Sequence, residues 1–321
     1  MAVLLMLAAL LPGPASARRA GPHPPSPTPT PSATATPPPR PGQVRDTHIV
    51  SGDLWLRLRE RFDATSTPAQ AAVLFIHGAV LPGVPTFDRD PGDSWLRAAM
   101  NQGFDAYALD LDGYGESMPP LAASGGASLP RAVSDVAAAV AVIAASHPRG
   151  VALVGYDYGA DAAALYAAAH PVAALVLVAP LLQPLDPALT DAALTAPMLR
   201  SWLGDDVGEG VAERAIGMAL VGTRDVGRRD PPALLIPAGV RASLAQPPAL
   251  PAAALAMPLL VVRGQLDALF GGDAARALAG ACAHATVLDV PGDHRLPWEP
   301  GGMEAAERIA KFLSATGTGI H

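Results

Sequence analysis

Three residues that each follow a predicted strand could perform nucleophilic and acid–base chemistry. Asp157 lies between Gly155 and Gly159, where a predicted strand runs into a predicted helix. The pattern Gly-x-nucleophile-x-Gly is typical of a turn so tight that flanking side chains would clash, and it lifts the central residue above the sheet. Asp267 and His294 follow two later strands. We interpret Asp157 as a nucleophile, His294 as its base and Asp267 as the acid that orients the base.

Each of these residues also has a purely structural interpretation. Aspartate is common at helix N-caps, so Asp157 taken alone is also explained as a cap. Asp267 is similarly explained as a turn residue, and His294 as a histidine of a surface loop. The catalytic interpretation is favoured by the combination, because all three residues follow strands in the order nucleophile, acid and base.

The elements that must position these residues alternate regularly from about residue 46 onward. Short β-rich runs separated by helical patterns predict a mostly parallel, twisted sheet with helices on both faces. The sequence predicts a strand or hairpin at 48–59, strands at 72–76, 104–109, 151–154, 172–178, 258–262 and 285–290, and helices at 94–102, 131–146, 158–170, 274–281 and 303–313. The alternation of strands and helices is interrupted at 183–256. This stretch contains several prolines, helical fragments at 191–203 and 210–221 and no convincing strand, and it therefore predicts a helical insertion.

Composition limits the classes of function. Half of the 321 residues are hydrophobic and 16% are charged, which favours a large buried core over global disorder. A net charge of −7 gives no electrostatic footprint for nucleic acid or an anionic membrane. Cys282 is the single cysteine, so neither an intramolecular disulfide nor a cysteine-based metal site can form. We expect no metal, nucleotide or flavin, and a small-molecule substrate as the partner.

The N-terminal region predicts export. Residues 1–17 combine an apolar run with an Ala-Ser-Ala cleavage-like site, which is typical of a secretory signal peptide and too short to span a bilayer. Residues 18–45 contain ten prolines between Arg18 and Pro41 and predict an extended, disordered linker. We therefore expect a periplasmic or extracellular protein with no membrane association beyond export. Residues 316–321 are expected to form a short tail.

The chain from about residue 46 to residue 315 resembles the α/β-hydrolase superfamily. Phe75-Ile76-His77-Gly78 is similar to the oxyanion-loop signature of that superfamily, and Asp110-Leu111-Asp112-Gly113-Tyr114-Gly115-Glu116-Ser117 is similar to its Asp-x-x-Gly-x-Gly-x-Ser loop. The order of the elbow, the acid and the histidine is also that of the superfamily. The resemblance implies an α/β-hydrolase fold with its core at 46–182 and 257–315 and a helical cap at 183–256.

An aspartate at the elbow resembles the haloalkane dehalogenases, fluoroacetate dehalogenases and epoxide hydrolases. This resemblance implies that Asp157 forms an alkyl-enzyme ester with a small apolar substrate, and that a water activated by His294 hydrolyses the ester. It further implies an oxyanion hole made by the backbone N–H groups of Ala79 and Tyr158. Structural roles at the site would fall to His77, Gly78, Gly155 and Gly159.

Departures from these families leave the substrate open. All five tyrosines lie outside 183–256, so the cap tyrosines that protonate the epoxide in epoxide hydrolases are missing. Haloalkane dehalogenases usually have tryptophan beside the nucleophile, where this chain has Tyr158; Trp202 in the insertion is either a substrate contact or a packing residue. Fluoroacetate dehalogenases carry arginines near the nucleophile. In this chain no arginine closely follows Asp157. Two alternatives remain: an esterase-like hydrolase in which aspartate replaced serine, and a non-catalytic binding protein on the same scaffold.

Overall fold

The computed structural model describes residues 42–65, 69, 71–90, 92–117, 127–185, 193–221 and 231–318. The predicted signal peptide at 1–17 and most of the predicted linker lie outside these residues. The first strand already begins at Gln43, so residues 43–45 belong to a strand and not to the linker. At the other end, part of the predicted tail continues the last helix as a short helical turn, Ser314–Thr318.

Strands and helices alternate along most of the described chain. The strands are β1 (Gln43–Ser51), β2 (Leu54–Phe62), β3 (Ala72–Ile76), β4 (Asp88–Asp90), β5 (Asp93–Ser94), β6 (Asp105–Leu109), β7 (Val151–Tyr156), β8 (Leu175–Val178), β9 (Ala193–Thr195), β10 (Ala233–Leu235), β11 (Leu259–Gly264) and β12 (Ala285–Val290). The helices are α1 (Gly83–Phe87), α2 (Trp95–Met100), α3 (Leu129–Ala144), α4 (Tyr158–Ala169), α5 (Ala196–Leu203), α6 (Glu209–Val221), α7 (Ala238–Ala245), α8 (Gly272–Gly280) and α9 (Gly302–Leu313).

One eight-stranded sheet organises the molecule, in the order β1-β2-β6-β3-β7-β8-β11-β12. β2 runs antiparallel to both of its neighbours, and the six strands from β6 to β12 run parallel to one another. Because the carboxyl ends of parallel strands meet at one edge, the loops that follow β3, β7, β11 and β12 emerge side by side. The loops that carry His77, Asp157, Asp267 and His294 are therefore neighbours in space.

The central strands are apolar without interruption because helices cover both faces of the sheet. Every residue of β3, β7 and β8 is buried, which is the pattern expected for parallel strands with two covered faces. Helix α4 is rich in alanine and is buried on nearly all sides. Its small side chains let the helix approach the sheet closely, which fixes its first turn directly above the end of β7.

The predicted elements agree with the structure except in and around the insertion. The strands predicted at 72–76 and 285–290 coincide with β3 and β12, and the region predicted as a strand or hairpin forms the β1–β2 hairpin. The expectation that 183–256 holds no strand is wrong, because β9 and β10 pair as an antiparallel ribbon. Each of these strands has three residues, and their partners are distant in sequence, so no local alternation marks them.

The remaining elements pack on the helices that flank the sheet. In the insertion, α6 packs on α1, and α7 packs on α3. A second small ribbon, β4 paired with β5, was not predicted and lies between α1 and α2. Within the described part of the chain, no helix has both the length and the apolar character required to cross a membrane.

Shortening a buried side chain of the central sheet tests this packing. Leu177 in β8 is fully buried, whereas Leu266 after β11 is 78% exposed. We expect Leu177→Ala to lower the free energy of unfolding by about 2–5 kcal/mol, because it removes buried methyl groups and leaves a cavity. Leu266→Ala, the matched control, should change it by less than about 0.5 kcal/mol. Urea denaturation of both variants measures the difference, and equal effects would contradict the sheet topology.

Candidate active site

The nucleophile elbow is a strained turn between β7 and α4. Asp157 has φ 52° and ψ −124°, a left-handed conformation that costs free energy for any residue with a Cβ atom. The two flanking glycines allow the turn: a Cβ on Gly155 would lie 2.5 Å from the Cα of Ala160, and a Cβ on Gly159 would lie 2.7 Å from the backbone of Ile76. The predicted structural roles of both glycines thus have a steric basis, which is close approach of backbone to backbone.

The structure brings the three predicted site residues together. Nδ1 of His294 lies 3.0 Å from Oδ2 of Asp267, and Nε2 lies 3.4 Å from Oδ1 of Asp157. The side chains of Asp157 and His294 are 10% and 12% exposed, whereas the side chain of Asp267 is fully buried. The imidazole therefore bridges one slightly exposed carboxylate and one fully buried carboxylate.

Backbone N–H groups fix the buried carboxylate of Asp267. Its Oδ1 accepts hydrogen bonds from the N–H groups of Leu269 and Phe270, at 2.9 and 2.8 Å. These bonds occupy one oxygen and leave Oδ2 for the histidine. Asp267 is therefore a turn residue and a histidine partner at once, so the two interpretations offered by the sequence are compatible.

The loop after β3 supplies a hydrogen-bond donor to the carboxylate of Asp157. The backbone N–H of Ala79 donates to Oδ2 of Asp157 at 2.7 Å. Gly78 makes room for this contact, because a Cβ there would lie 2.5 Å from the same oxygen. Tyr158 begins α4 directly after Asp157, so its N–H belongs to the first turn of the helix, whose amides point toward the N-terminal end. The positions of Ala79 and Tyr158 are thus compatible with the predicted oxyanion hole.

His77 holds this loop in place as a neutral side chain. Its Nε2 accepts a hydrogen bond from the N–H of Leu111 at 3.1 Å, so Nδ1 carries the proton and donates to the carbonyl of Gly78 at 2.6 Å. Burial lowers the pKa of His77 to about 4, which keeps the ring uncharged at neutral pH. The hydroxyl of Tyr114 donates to the carbonyl of Ala79 at 2.6 Å and fixes the loop from the other side.

His294 is expected to carry a positive charge in the resting site. Burial alone would lower its pKa, but the hydrogen bonds to Asp157 and Asp267 outweigh burial and raise the pKa to about 10. A cation between two carboxylates is stable and is not yet a base. In this state His294 has no free nitrogen with which to accept a proton.

Trp202, the predicted cap contact, is connected to the histidine by three successive contacts between aromatic rings. Its ring centroid is 5.2 Å from that of Trp298, and Trp298 is 5.7 Å from Tyr156. Tyr156 in turn is 5.8 Å from the His294 ring. The indole N–H of Trp298 is occupied, because it donates to the carbonyl of Pro85 at 3.0 Å. Trp202 thus packs against the core next to the site, and its predicted contact with substrate remains a prediction.

Sequence reasoning missed the residues that support the site. Asp110 is buried and accepts from the N–H groups of Gly83 and Glu116, so the Asp-x-x-Gly-x-Gly-x-Ser loop is a structural device. Asp161, one turn after the nucleophile, has a pKa well above its usual range because of burial and the charge of Asp157. A charged residue next to the histidine, Arg295, was also overlooked. The motif marked Asp110, and a polar residue in an alanine-rich helix is the signal that could have identified Asp161. No local feature of the sequence marked Arg295.

Comparison with known proteins agrees with this architecture. A family model described as alpha/beta hydrolase fold matches residues 71–220, and a search of curated proteins finds no match. The chain is an α/β hydrolase by fold. This result confirms the predicted fold class and the resemblance to the superfamily.

Solved α/β hydrolases superpose over most of this chain. An E-2-(acetamidomethylene)succinate hydrolase matches with a TM-score of 0.62 and 19% identity, over 84% of this chain and 99% of the other. A haloalkane dehalogenase from Bradyrhizobium elkani USDA94 matches at 0.60 and 19%, over 86% and 99%. A thermophilic esterase from Thermogutta terrifontis matches at 0.59 and 19%, over 85% and 99%. At this level of identity the likeness extends to the fold and not to the bond that is cleaved.

Two substitutions at the elbow test the backbone strain of this α/β hydrolase. Asp157→Gly and Asp157→Ala both remove the carboxylate, but only alanine keeps a Cβ at positive φ. We expect the glycine variant to be more stable than the alanine variant by about 1–3 kcal/mol, the reverse of the usual order. Thermal or urea unfolding measures the difference. An alanine variant of equal or greater stability would contradict the strained elbow.

The charge of His294 is tested by titration. We expect Asp157→Asn to lower the pKa of His294 from about 10 toward its ordinary value, because it removes one of the two carboxylates that stabilise the imidazolium. Since the pKa is raised in the folded state, the stabilisation is complete below about pH 6.5 and is lost as the pH rises toward 10. Imidazole ¹⁵N NMR measures the pKa in both proteins. An unchanged value would contradict the contact between residues 157 and 294.

Proposed function

We propose that this α/β hydrolase uses Asp157 as a carboxylate nucleophile on an sp³ carbon of a small, largely apolar substrate. The proposal is supported by the position of the Asp157 side chain. Its Oδ2 accepts a hydrogen bond from the N–H of Ala79, and its Oδ1 faces His294. A mere helix cap would bond the N–H groups of its own helix, whereas Asp157 makes no such cap hydrogen bond. Its carboxylate is directed into the site instead.

In the first step, Oδ1 of Asp157 attacks the carbon and forms a C–O bond while the bond to the leaving group breaks with its electron pair. The product is an alkyl ester of Asp157, with Oδ2 as the ester carbonyl oxygen. That oxygen already accepts the hydrogen bond of Ala79. The N–H is therefore in position to stabilise the negative charge that develops on Oδ2 during the second step.

The first step also prepares the base for the second. Esterification removes the negative charge of Asp157, and with it one of the two interactions that raise the pKa of His294. The imidazolium can then release its proton to solvent together with the departing anion. His294 becomes a neutral base, oriented by Asp267, at the stage of the reaction that requires one.

In the second step, neutral His294 takes a proton from a water, and the resulting hydroxide attacks the carbonyl carbon of the ester. The tetrahedral intermediate collapses by breaking the bond between that carbon and the alkoxy oxygen. The alcohol leaves with the second proton of the water, while His294 remains protonated and Asp157 is a carboxylate again. Water oxygen thus enters Asp157, and the resting charges of the site are restored.

The leaving group favoured by the residues is one that departs without a proton donor, such as a halide. The five tyrosines are all buried, and none lies in the insertion, so the site has no tyrosine above it to protonate an epoxide oxygen. The structural likeness to a haloalkane dehalogenase is consistent with this choice. An epoxide remains the second substrate class for this nucleophile.

The alternative is an ester hydrolase whose serine has been replaced. It is favoured by one observation, the intact donor on Ala79, which suits an acyl oxyanion as well as an aspartyl ester. The likeness to an esterase supports the same scaffold. Under this alternative Asp157 has little activity of its own, and Asp157→Ser hydrolyses short acyl esters.

A trapped intermediate tests the proposal. We expect His294→Gln, incubated with a panel of haloalkanes, haloacids and epoxides, to accumulate a covalent adduct on Asp157, because alkylation proceeds without the base and hydrolysis does not. Intact-mass and peptide mass spectrometry detect the adduct. The matched control is His147→Gln, since His147 is also buried and paired with an aspartate, Asp105, but lies away from the site. This control should form no adduct and should retain turnover.

Repeated turnover of the wild type in H₂¹⁸O should also introduce the label into Asp157. The proposal fails if an active preparation forms neither adduct nor label. Gain of esterase activity by Asp157→Ser together with absence of an adduct would instead support the ester-hydrolase alternative. Ligand binding without turnover, unaffected by His294→Ala, would support a binding protein.

A further inference from the structure

We propose that Arg295 is a positioning residue that ties the His294 loop to the insertion, so that hydrolysis of the intermediate depends on the docking of the insertion. The His294 loop is here residues 291–299, and the docked segment is residues 202–206 at the end of α5. The consequence for hydrolysis rests on the proposed function. The tie itself rests only on the contacts of Arg295.

Arg295 first organises the loop in which it lies. Its backbone N–H donates to Oδ1 of Asp293 at 2.7 Å, and its Nε donates to both carboxylate oxygens at 3.0 Å. Nη2 makes a further short contact with the same carboxylate. Burial alone would raise the pKa of Asp293, but the hydrogen bonds of Arg295 hold it well below its usual range. The residues on either side of His294 are thereby locked to each other.

The same guanidinium reaches the insertion. Nη1 donates to the carbonyl of Trp202 at 3.3 Å and to the carbonyl of Leu203, and Nη2 contacts the carboxylate of Asp206 at 3.2 and 3.3 Å. These carbonyls belong to the last turn of α5, where backbone oxygens have no partner inside the helix. Gly204 permits the approach, since a Cβ there would lie 2.9 Å from the guanidinium carbon. A planar, five-donor side chain suits this set of acceptors.

Arg295 is also the counter-ion of an acidic cluster. Carboxylate oxygens of Asp206, Asp293 and Glu299 lie within 4.8 Å of one another, the one such group with metal-like spacing among the described residues. Arg295 bonds the first two and lies 3.8 Å from an oxygen of Glu299. Burial, reinforced by the hydrogen bond with Asp293, raises the pKa of Glu299 to about 8. The positive charge that these carboxylates surround is therefore the guanidinium of Arg295.

A second contact supports the coupling. Trp202, whose carbonyl accepts from Arg295, also packs its ring against Trp298 of the His294 loop. The other oxygen of Glu299 accepts from the N–H of Asp293 at 2.7 Å, which closes the loop on itself. The loop thus has two attachments to the insertion, one ionic and one aromatic, within a few residues of His294.

The kinetic consequence follows from the two-step scheme. The ratio kcat/KM reports only the steps up to and including alkylation, whereas kcat also contains hydrolysis. His294 acts in hydrolysis alone. A misplaced His294 therefore lowers kcat and KM together and leaves kcat/KM unchanged, which a general loss of structure does not do.

Hydrogen–deuterium exchange of the full chain tests the tie without a substrate. We expect Asp206→Asn, a change at a side chain 53% exposed in the insertion, to raise exchange in the His294 loop. We expect Arg295→Met to raise it in the loop and in α5, each by about tenfold. Arg295→Lys should restore part of the protection. The control is Arg200→Met, because Arg200 bonds the carbonyls of Gly204 and Val207 but no atom of the loop.

Unchanged loop exchange in Asp206→Asn, or an equal effect of Arg200→Met on the loop, would overturn the tie. For a substrate that the wild type turns over, Arg295→Met should lower kcat and KM by roughly tenfold each and accumulate the ester. A fall in kcat/KM without accumulation would overturn the link to hydrolysis. Failure to form any adduct in His294→Gln would contradict the proposed function instead, and the exchange result would still decide the tie.

Discussion

The imidazole of His294 between two carboxylates is the interaction on which the rest of the site depends. One carboxylate, Asp267, is buried and is held in a fixed orientation by two backbone amides. The other, Asp157, is slightly exposed, and in the proposed mechanism it loses its charge when it is alkylated. The histidine therefore experiences a change in its surroundings that is produced by the chemistry itself. A serine at the elbow would not provide this change, because a neutral hydroxyl does not stabilise an imidazolium in the same way.

The backbone is arranged to deliver that carboxylate to the histidine. Three features form the turn. They are a residue with positive φ at the end of β7, two glycines without room for a Cβ, and an alanine-rich helix that packs against the sheet. The neutral His77 and the hydroxyl of Tyr114 hold the facing loop at a distance at which one amide reaches Asp157. Strain at one residue is thus supported by close packing from three directions, which is the usual condition for a strained conformation to persist.

Much of this arrangement could be predicted from the sequence, for reasons specific to each element. β3 and β12 were predicted at their observed bounds because apolar runs between turn residues identify strands locally. The Gly-x-Asp-x-Gly turn identified the elbow, since sterics permit few other sequences there. The ribbon of β9 and β10 was not predicted, because three-residue strands with distant partners leave no periodic signal. Arg295 was not predicted for a related reason. Its partners include backbone carbonyl groups of α5, and because every residue type has such a group, the sequence does not mark them.

The point at which the insertion leaves the core has an evolutionary consequence. The insertion departs after β8 and returns before β11, and these two strands are hydrogen-bonded neighbours, with Leu175 paired to Leu259. The insertion leaves the sheet at the carboxyl end of β8, after Val178, and the chain re-enters it at the amino end of β11, at Leu259. It therefore lies within the connection between two adjacent parallel strands, whose pairing does not depend on the length or sequence of the insertion. Under the proposed tie, exchange of this segment would keep the histidine in position only where the replacement offers acceptors to the guanidinium of Arg295.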